Sequence, residues 1–140
     1  MARAFLTRRV TFTAAHRYWR PDWTSEENHR VFGESASRDP HQHSYVCEVT
    51  LAGEIDPVTG MVADLNDLDQ ALKREVHDRF DGRYINADVP EFADGMLTPT
   101  GENLARYILG RVRAAVGSRA QLTEVTVAED DTMRCTYRGD

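Results

Sequence analysis

Two stretches of this chain alternate with a two-residue period, and both carry histidine at one end. In 3–15, Leu6, Val10, Phe12, Ala14 and then His16 share one parity, while Thr7, Arg9, Thr11 and Thr13 share the other. In 43–53, His43, Tyr45, Cys47, Val49 and Leu51 share one parity and Glu48 and Thr50 the other. Arg8 interrupts the first apolar row and Val46 the second polar one. A period of two is the signature of a strand with one buried face. The chain is thus committed to a sheet whose inward rows are extended by imidazoles.

The remaining segments fix the fold class. Residues 17–42 are polar and irregular, with a short helix expected over 26–32 behind a Ser25 cap. Asp56-Pro57-Val58-Thr59-Gly60 is turn chemistry. Asp64 reads as an N-cap, and Leu65, Leu68, Leu72, Val76 and Phe80 fall at helical spacing, which predicts a helix over 65–79. Residues 81–97 read as a long loop. Thr98-Pro99-Thr100 opens a second helix with Leu104, Tyr107, Ile108, Val112 and Ala115 as its stripe and Gly117 at its end. Two more strands follow, over 122–129 and 132–138, around an Asp130-Asp131 turn. Strand, strand, helix, helix, strand, strand predicts an α+β fold. Its sheet would be four-stranded and antiparallel, with both helices on one face. The other face has no cover within the chain, which points to assembly with further copies.

With 140 residues, the chain is expected to form a single domain over 1–140. A formal charge of -6 argues against broad binding to nucleic acid. No apolar run approaches the ~20 residues of a membrane span, and the start Met1-Ala2-Arg3-Ala4-Phe5 lacks the apolar stretch of a signal peptide. The expectation is a cytoplasmic protein with no membrane partner, and Cys47 and Cys135 are expected as buried free thiols on strands.

His41-Gln42-His43 places two imidazoles on one side of an extended chain. His16 can lie beside them if the first two strands pair. Three neutral imidazoles are a standard zinc set that leaves a fourth position for water or substrate, and the same residues are compatible with hydrogen-bonded histidines that hold no metal. His29 and His77 read as surface residues. A zinc hydrolase of the H-x-H-x-D-H type is disfavoured, because Ser44-Tyr45-Val46-Cys47 follows His43. Glu129 ends the third long strand with the parity of Val125 and Val127. A carboxylate on an apolar face is costly unless paired. It either reaches solvent at the strand end or anchors a planar pair of donors such as a guanine or pterin edge. The Thr100-Gly101-Glu102-Asn103 helix start is either a simple cap or a binder of acceptors.

Several segments, in order over nearly the whole chain, resemble the 6-pyruvoyltetrahydropterin synthase / 6-carboxytetrahydropterin synthase family. They are Phe12-Thr13-Ala14-Ala15-His16, Glu26-Glu27-Asn28-His29-Arg30-Val31-Phe32-Gly33, His41-Gln42-His43-Ser44-Tyr45 and Asp56-Pro57-Val58-Thr59-Gly60-Met61-Val62. Asp88-Val89-Pro90-Glu91-Phe92-Ala93, Pro99-Thr100-Gly101-Glu102-Asn103-Leu104-Ala105, Val127-Ala128-Glu129 and Tyr137-Arg138-Gly139 complete the set. The resemblance implies the tunnelling fold, assembled as trimeric barrels stacked into a homohexamer. It implies a Zn2+ cofactor on His16, His41 and His43. It also implies a pterin held by Glu129, with help from Thr100 and Glu102 at a subunit boundary. The substrate it implies is 7,8-dihydroneopterin triphosphate or a related GTP-derived pterin, and the enzyme class is a carbon-oxygen or carbon-carbon lyase.

The departures from the family pattern concern proton transfer. Where the family has Gly-Lys-Cys, this chain has Gly33-Glu34-Ser35, so Ser35 stands at the catalytic Cys position. A serine hydroxyl is far too weak an acid to act as a thiolate does without activation. Where the family has Leu-Asp-His, this chain has Phe80-Asp81-Gly82, so Asp81 is kept and the His is lost. The expected catalytic set is therefore Asp81, Glu34 and Ser35, with Asp39 a further candidate. The alternative is a zinc-dependent pterin- or purine-binding protein without turnover.

Overall fold

The computed structural model describes residues 2–139. β1 (Arg3–His16) and β2 (His41–Glu54) pair antiparallel over their whole length, from Arg3 opposite Glu54 to His16 opposite His41. β2 therefore begins at the first histidine of the H-x-H pair rather than at the second. This register aligns the two inward rows: Phe12 and Ala14 are buried from β1, and Tyr45, Cys47, Val49 and Leu51 from β2. β4 (Gln121–Asp130) pairs antiparallel with β2, with a bulge between Thr50 and Leu51, and β5 (Met133–Tyr137) pairs antiparallel with β4. The turn between β4 and β5 is held by Asp130, whose carboxylate accepts from the Thr132 N–H (2.7 Å) and Oγ1 (2.6 Å).

The sheet has five strands rather than the four expected, in the order β3-β1-β2-β4-β5. The added β3 (Arg83–Tyr84) runs parallel to β1 beside Ala14 and Ala15. Its cause is local. Gly82 adopts φ 71, a left-handed conformation that glycine takes without penalty. That turn aims the Gly82 N–H at the Thr13 carbonyl (2.7 Å) and lays the next two residues along the strand edge. The 81–97 segment is also more structured than a loop, since it holds β3, α4 (Ile85–Asp88) and a 3-10 turn (Pro90–Phe92).

One face of the sheet is covered by helices. α1 (Ser25–Phe32) is capped by Thr24, one residue earlier than expected; the Thr24 Oγ1 accepts from the Glu27 N–H. Asp64 caps α2 (Leu65–Leu72) as expected, accepting from the N–H groups of Asn66 and Asp67. The helix continues through a π turn (Lys73–His77) into α3 (Asp78–Phe80). α5 (Gly101–Ala115) buries Leu104, Ala105, Ile108, Leu109 and Val112 against the sheet. Between the layers lies an aromatic run. Phe12 stacks on Tyr45 (4.8 Å) and Phe80 (5.3 Å), Phe80 meets Phe92 (6.3 Å), and Phe92 meets Tyr107 (5.2 Å). Full burial of a side chain like Phe80 contributes about 1.5–3 kcal/mol.

Arg8 breaks the inward row of β1 without burying a charge. It stays half-exposed and makes two 2.8 Å bonds to Asp69 of α2. The opposite sheet face is polar and open, with hydroxyl pairs Thr7–Thr50 (2.9 Å) and Thr126–Thr136 (2.7 Å) across it. Among the described residues, no helix is long and apolar enough to cross a membrane.

Candidate active site

The inward rows of β1, β2 and β4 end at the same rim of the sheet, and each ends in a polar residue. His16 closes β1, His43 lies two residues before Tyr45 on β2, and Glu129 lies two residues beyond Val127 on β4. One donor atom from each of His16, His43 and Glu129 lies within 4.8 Å of the others. His16 is 2% exposed and Glu129 8%, while the His43 side chain keeps 25%, so the cluster is largely withdrawn from solvent and opens at His43. The His16 and His43 rings sit 4.9 Å apart, and the His43 Nε2 is 3.9 Å from the Glu129 Oε2.

Two tyrosines complete the cluster, and the sequence reading missed both. The Tyr45 hydroxyl is 2.7 Å from the His16 Nδ1 in the buried interior. The Tyr18 hydroxyl donates to the Glu129 Oε1 (3.1 Å), which leaves the other carboxylate oxygen directed to the histidines. Tyr45 continues the apolar parity and so reads as core. Tyr18 lies in an irregular segment without periodicity. Their only signal in the sequence is that a buried tyrosine hydroxyl needs a partner.

The electrostatics follow from burial. The His16 pKa is pushed down to about 3, first by desolvation and then by the neighbouring charges of His43 and His41. His16 is therefore a neutral imidazole at physiological pH, the form that binds metal. Desolvation, followed by the Glu129 charge, drives the Tyr18 and Tyr45 phenols well above their usual range, so both stay protonated donors.

His41 stands opposite His16 in the β1–β2 register but outside the tight His16–His43–Glu129 cluster. Its Nδ1 is buried and has no hydrogen-bond partner among the described residues. A buried ring nitrogen left without a partner is what a metal ligand looks like without its metal. The donor set therefore fits a zinc-like ion, with His16, His43, His41 and Glu129 as the available ligands. Tyr45 suits this chemistry as well, because its hydroxyl oxygen can accept a hydrogen bond from the Nδ1–H of a His16 whose Nε2 is free for a metal.

The other expected site residues divide into two groups. Thr100 caps α5, accepting from the Asn103 N–H (3.2 Å), and Glu102 in its first turn accepts from the Cys135 thiol (2.9 Å). Glu102 and Cys135 lie close enough to Tyr18 to raise its pKa, so the α5 start borders the Glu129 cluster. Cys135 is half-exposed, not buried as expected, and its thiol is pushed up to about 12 by desolvation and then by Glu102. Cys47 is fully buried and also pushed up to about 12. Ser35 joins through its backbone, since its carbonyl accepts from the Tyr18 N–H (2.8 Å). Glu34 and Asp39 are exposed beside it.

Asp81 stands apart. Its Oδ1 accepts from the Thr13 N–H (2.9 Å) on the outer edge of β1. Three residues at ~3.3 Å per residue separate that point from His16 by about 10 Å along the strand. His29 is exposed and bonds to the Ser25 carbonyl (2.7 Å), in keeping with a surface role.

The sequence and fold agree on relatedness. The sequence profile described as 6-pyruvoyl tetrahydropterin synthase matches residues 5–140. A Drosophila melanogaster 6-pyruvoyl tetrahydrobiopterin synthase is 39% identical over 137 residues, spanning 97% of this chain and 80% of that protein. The Homo sapiens protein of the same name is 36% identical over 137 residues, spanning 98% of this chain and 92% of that protein. The solved structure of Caenorhabditis elegans 6-pyruvoyl tetrahydropterin synthase superposes with a TM-score of 0.93 at 32% identity, covering 100% of this chain and 98% of that one. A match that runs the length of the sequence and reproduces the whole fold places the chain in the 6-pyruvoyl tetrahydropterin synthase family.

Proposed function

We propose that this protein is a zinc-dependent lyase of pterin biosynthesis that acts on 7,8-dihydroneopterin triphosphate or a related GTP-derived pterin. The observation that carries this reading is the convergence of His16, His43 and Glu129 at one desolvated rim of the sheet. His16, His41 and His43 hold the metal, and the unpartnered buried Nδ1 of His41 supports its place in the set. The mutual distances favour a second set, His16, His43 and Glu129. A bound zinc would supply Lewis acidity to an oxygen of the substrate side chain.

The residues of the chain bind and orient the ring. Glu129 is oriented by Tyr18 and accepts two N–H groups from the planar edge of the pterin. Thr100 and Glu102 at the α5 start border the ring. Asp81, with Glu34 and Ser35, moves the protons. Asp81 lies about 10 Å along β1 from His16, beyond direct proton-transfer reach. It therefore serves the site of a second copy laid against the edge of β1, along which β3 pairs only at Ala14 and Ala15 among the described residues. Homo-oligomeric assembly, as trimeric barrels in a hexamer, closes the free sheet edges and covers the polar face. The single domain over 1–140 is the repeating unit.

The test is mass spectrometry of products after zinc-loaded protein meets 7,8-dihydroneopterin triphosphate. The product mass separates triphosphate elimination from side-chain cleavage, and unchanged substrate refutes the lyase reading in favour of binding without turnover. Zinc content of His41→Ala against Glu129→Gln decides between the ligand sets. Mixed oligomers of His16→Ala and Asp81→Asn protomers recover activity if Asp81 acts across the subunit boundary, and stay inactive if it does not.

A further inference from the structure

The family pattern has a histidine directly after the aspartate, and Gly82 occupies that position here. The structure brings a different histidine to the same aspartate from one helical turn earlier. His77 ends the π turn between α2 and α3, and its Nε2 lies 3.6 Å from the Asp81 Oδ2. The π turn buries Glu75 against Arg111 of α5 (2.9 Å) and Val76 against the core, which rotates His77 onto the edge of β1. There its Nδ1 lies 3.1 Å from the Thr11 carbonyl.

We propose that His77 is the proton partner of Asp81, a positioning residue that supplies and stores the proton Asp81 transfers. This rests on the lyase reading above. A carbonyl oxygen only accepts, so the Nδ1 facing Thr11 carries the hydrogen. The Nε2 is then left to face a carboxylate. Two acceptors facing each other repel unless a proton lies between them, so the geometry gives the pair a place for one mobile proton. The loaded pair interconverts between imidazolium with carboxylate and imidazole with carboxyl, and charge is conserved in both directions. When the pair is empty, as neutral imidazole with carboxylate, Asp81 takes a proton from substrate, passes it to Nε2 and regains its charge; when the pair is loaded, delivery runs the same path in reverse. Both partners are fixed on β1, Asp81 by the Thr13 N–H and His77 by the Thr11 carbonyl. The nearest other carboxylate on the helix, Asp78, is occupied by Lys73 (2.8 Å). A 3.6 Å gap between two side chains that are each two-fifths exposed closes with a small rotation, and such contacts commonly tighten only when substrate binds.

Two variants separate a proton role from a structural one. His77→Asn keeps a donor for Thr11 but has nothing at Nε2. His77→Gln reaches Asp81 but cannot carry a proton. With 7,8-dihydroneopterin triphosphate as substrate, both are expected to lose kcat by about 100-fold or more while KM and zinc content stay within about twofold. A His77→Asn protein with kcat within about threefold of the parent overturns the proposal. A second readout needs no turnover. In 15N-edited NMR of the zinc-loaded parent, His77 is expected as the Nδ1-protonated tautomer or imidazolium, and Asp81→Asn is expected to change that ring state. A neutral Nε2–H tautomer in the parent overturns the pairing even if the triphosphate is turned over. If the parent leaves the triphosphate unchanged, the lyase reading fails alone, and the ring state still decides the pair.

Discussion

Removing bound metal should make the stability of this fold depend on the protonation of one histidine. His16 is 2% exposed, and its pKa falls from the ordinary 6.5 to about 3 because burial, then His43 and His41, oppose its charge. Since the folded value lies below the unfolded one, the unfolded chain binds the proton first. The stabilisation is complete above 6.5 and is lost as pH falls from there towards about 3. Within that window each pH unit costs about 1.4 kcal/mol. At about pH 4.5 the loss from this residue is therefore roughly 2.7 kcal/mol, a large part of the ~5–15 kcal/mol that holds a domain folded. The assay is urea unfolding of chelator-treated protein at fixed protomer concentration, comparing the parent with His16→Asn across this range. Asparagine does not titrate, and its amide oxygen can accept from Tyr45, so the other acidic and basic groups cancel in the difference. The parent should lose about 1.4 kcal/mol per pH unit relative to the variant. A difference that stays flat to within about 0.5 kcal/mol refutes the assignment of His16 as a buried neutral imidazole.

Tyr45→Phe leaves the His16 Nδ1 without its 2.7 Å partner; about 1–3 kcal/mol of stability should go in urea titrations, and zinc affinity should fall about 10–100-fold in chelator competition. Asn28 is fully buried and ties 17–24 to α1 through the Arg20 N–H (2.7 Å) and the carbonyls of Arg20 (2.9 Å) and Thr24 (3.0 Å). Asn28→Ala should cost about 1–3 kcal/mol by the same measurement, and an unchanged midpoint would deny that anchor any role. A Cβ on Gly101 would stand 2.8 Å from the Cys135 Sγ, so Gly101→Ala should destabilise by about 1–3 kcal/mol. Adding Cys135→Ala should restore at least about half of that loss, whereas additive losses would place the strain elsewhere.

The parts legible in the sequence are those governed by periodicity. The alternation in 3–15 and 43–53 gave the inward rows, and the same parity aimed His16, His43 and Glu129 at one rim. What escaped was set by contacts between segments distant in sequence. β3 depends on a left-handed Gly82 meeting the Thr13 carbonyl, and neither residue carries a strand pattern. Tyr18 reaches Glu129 across 111 positions from an aperiodic segment. His77 is the sharpest case. On a regular helix it neighbours the apolar stripe at Val76 and reads as a surface residue. The expected stripe holds across the π turn, with Leu72, Val76 and Phe80 all buried. His77 is two-fifths exposed, in keeping with that reading, but helical spacing does not show that it lies against the edge of β1 within reach of Asp81. The residues that resist sequence reading here thus gather around the proposed proton-transfer groups, where the chain departs from its family. This is where local rules are expected to yield to function.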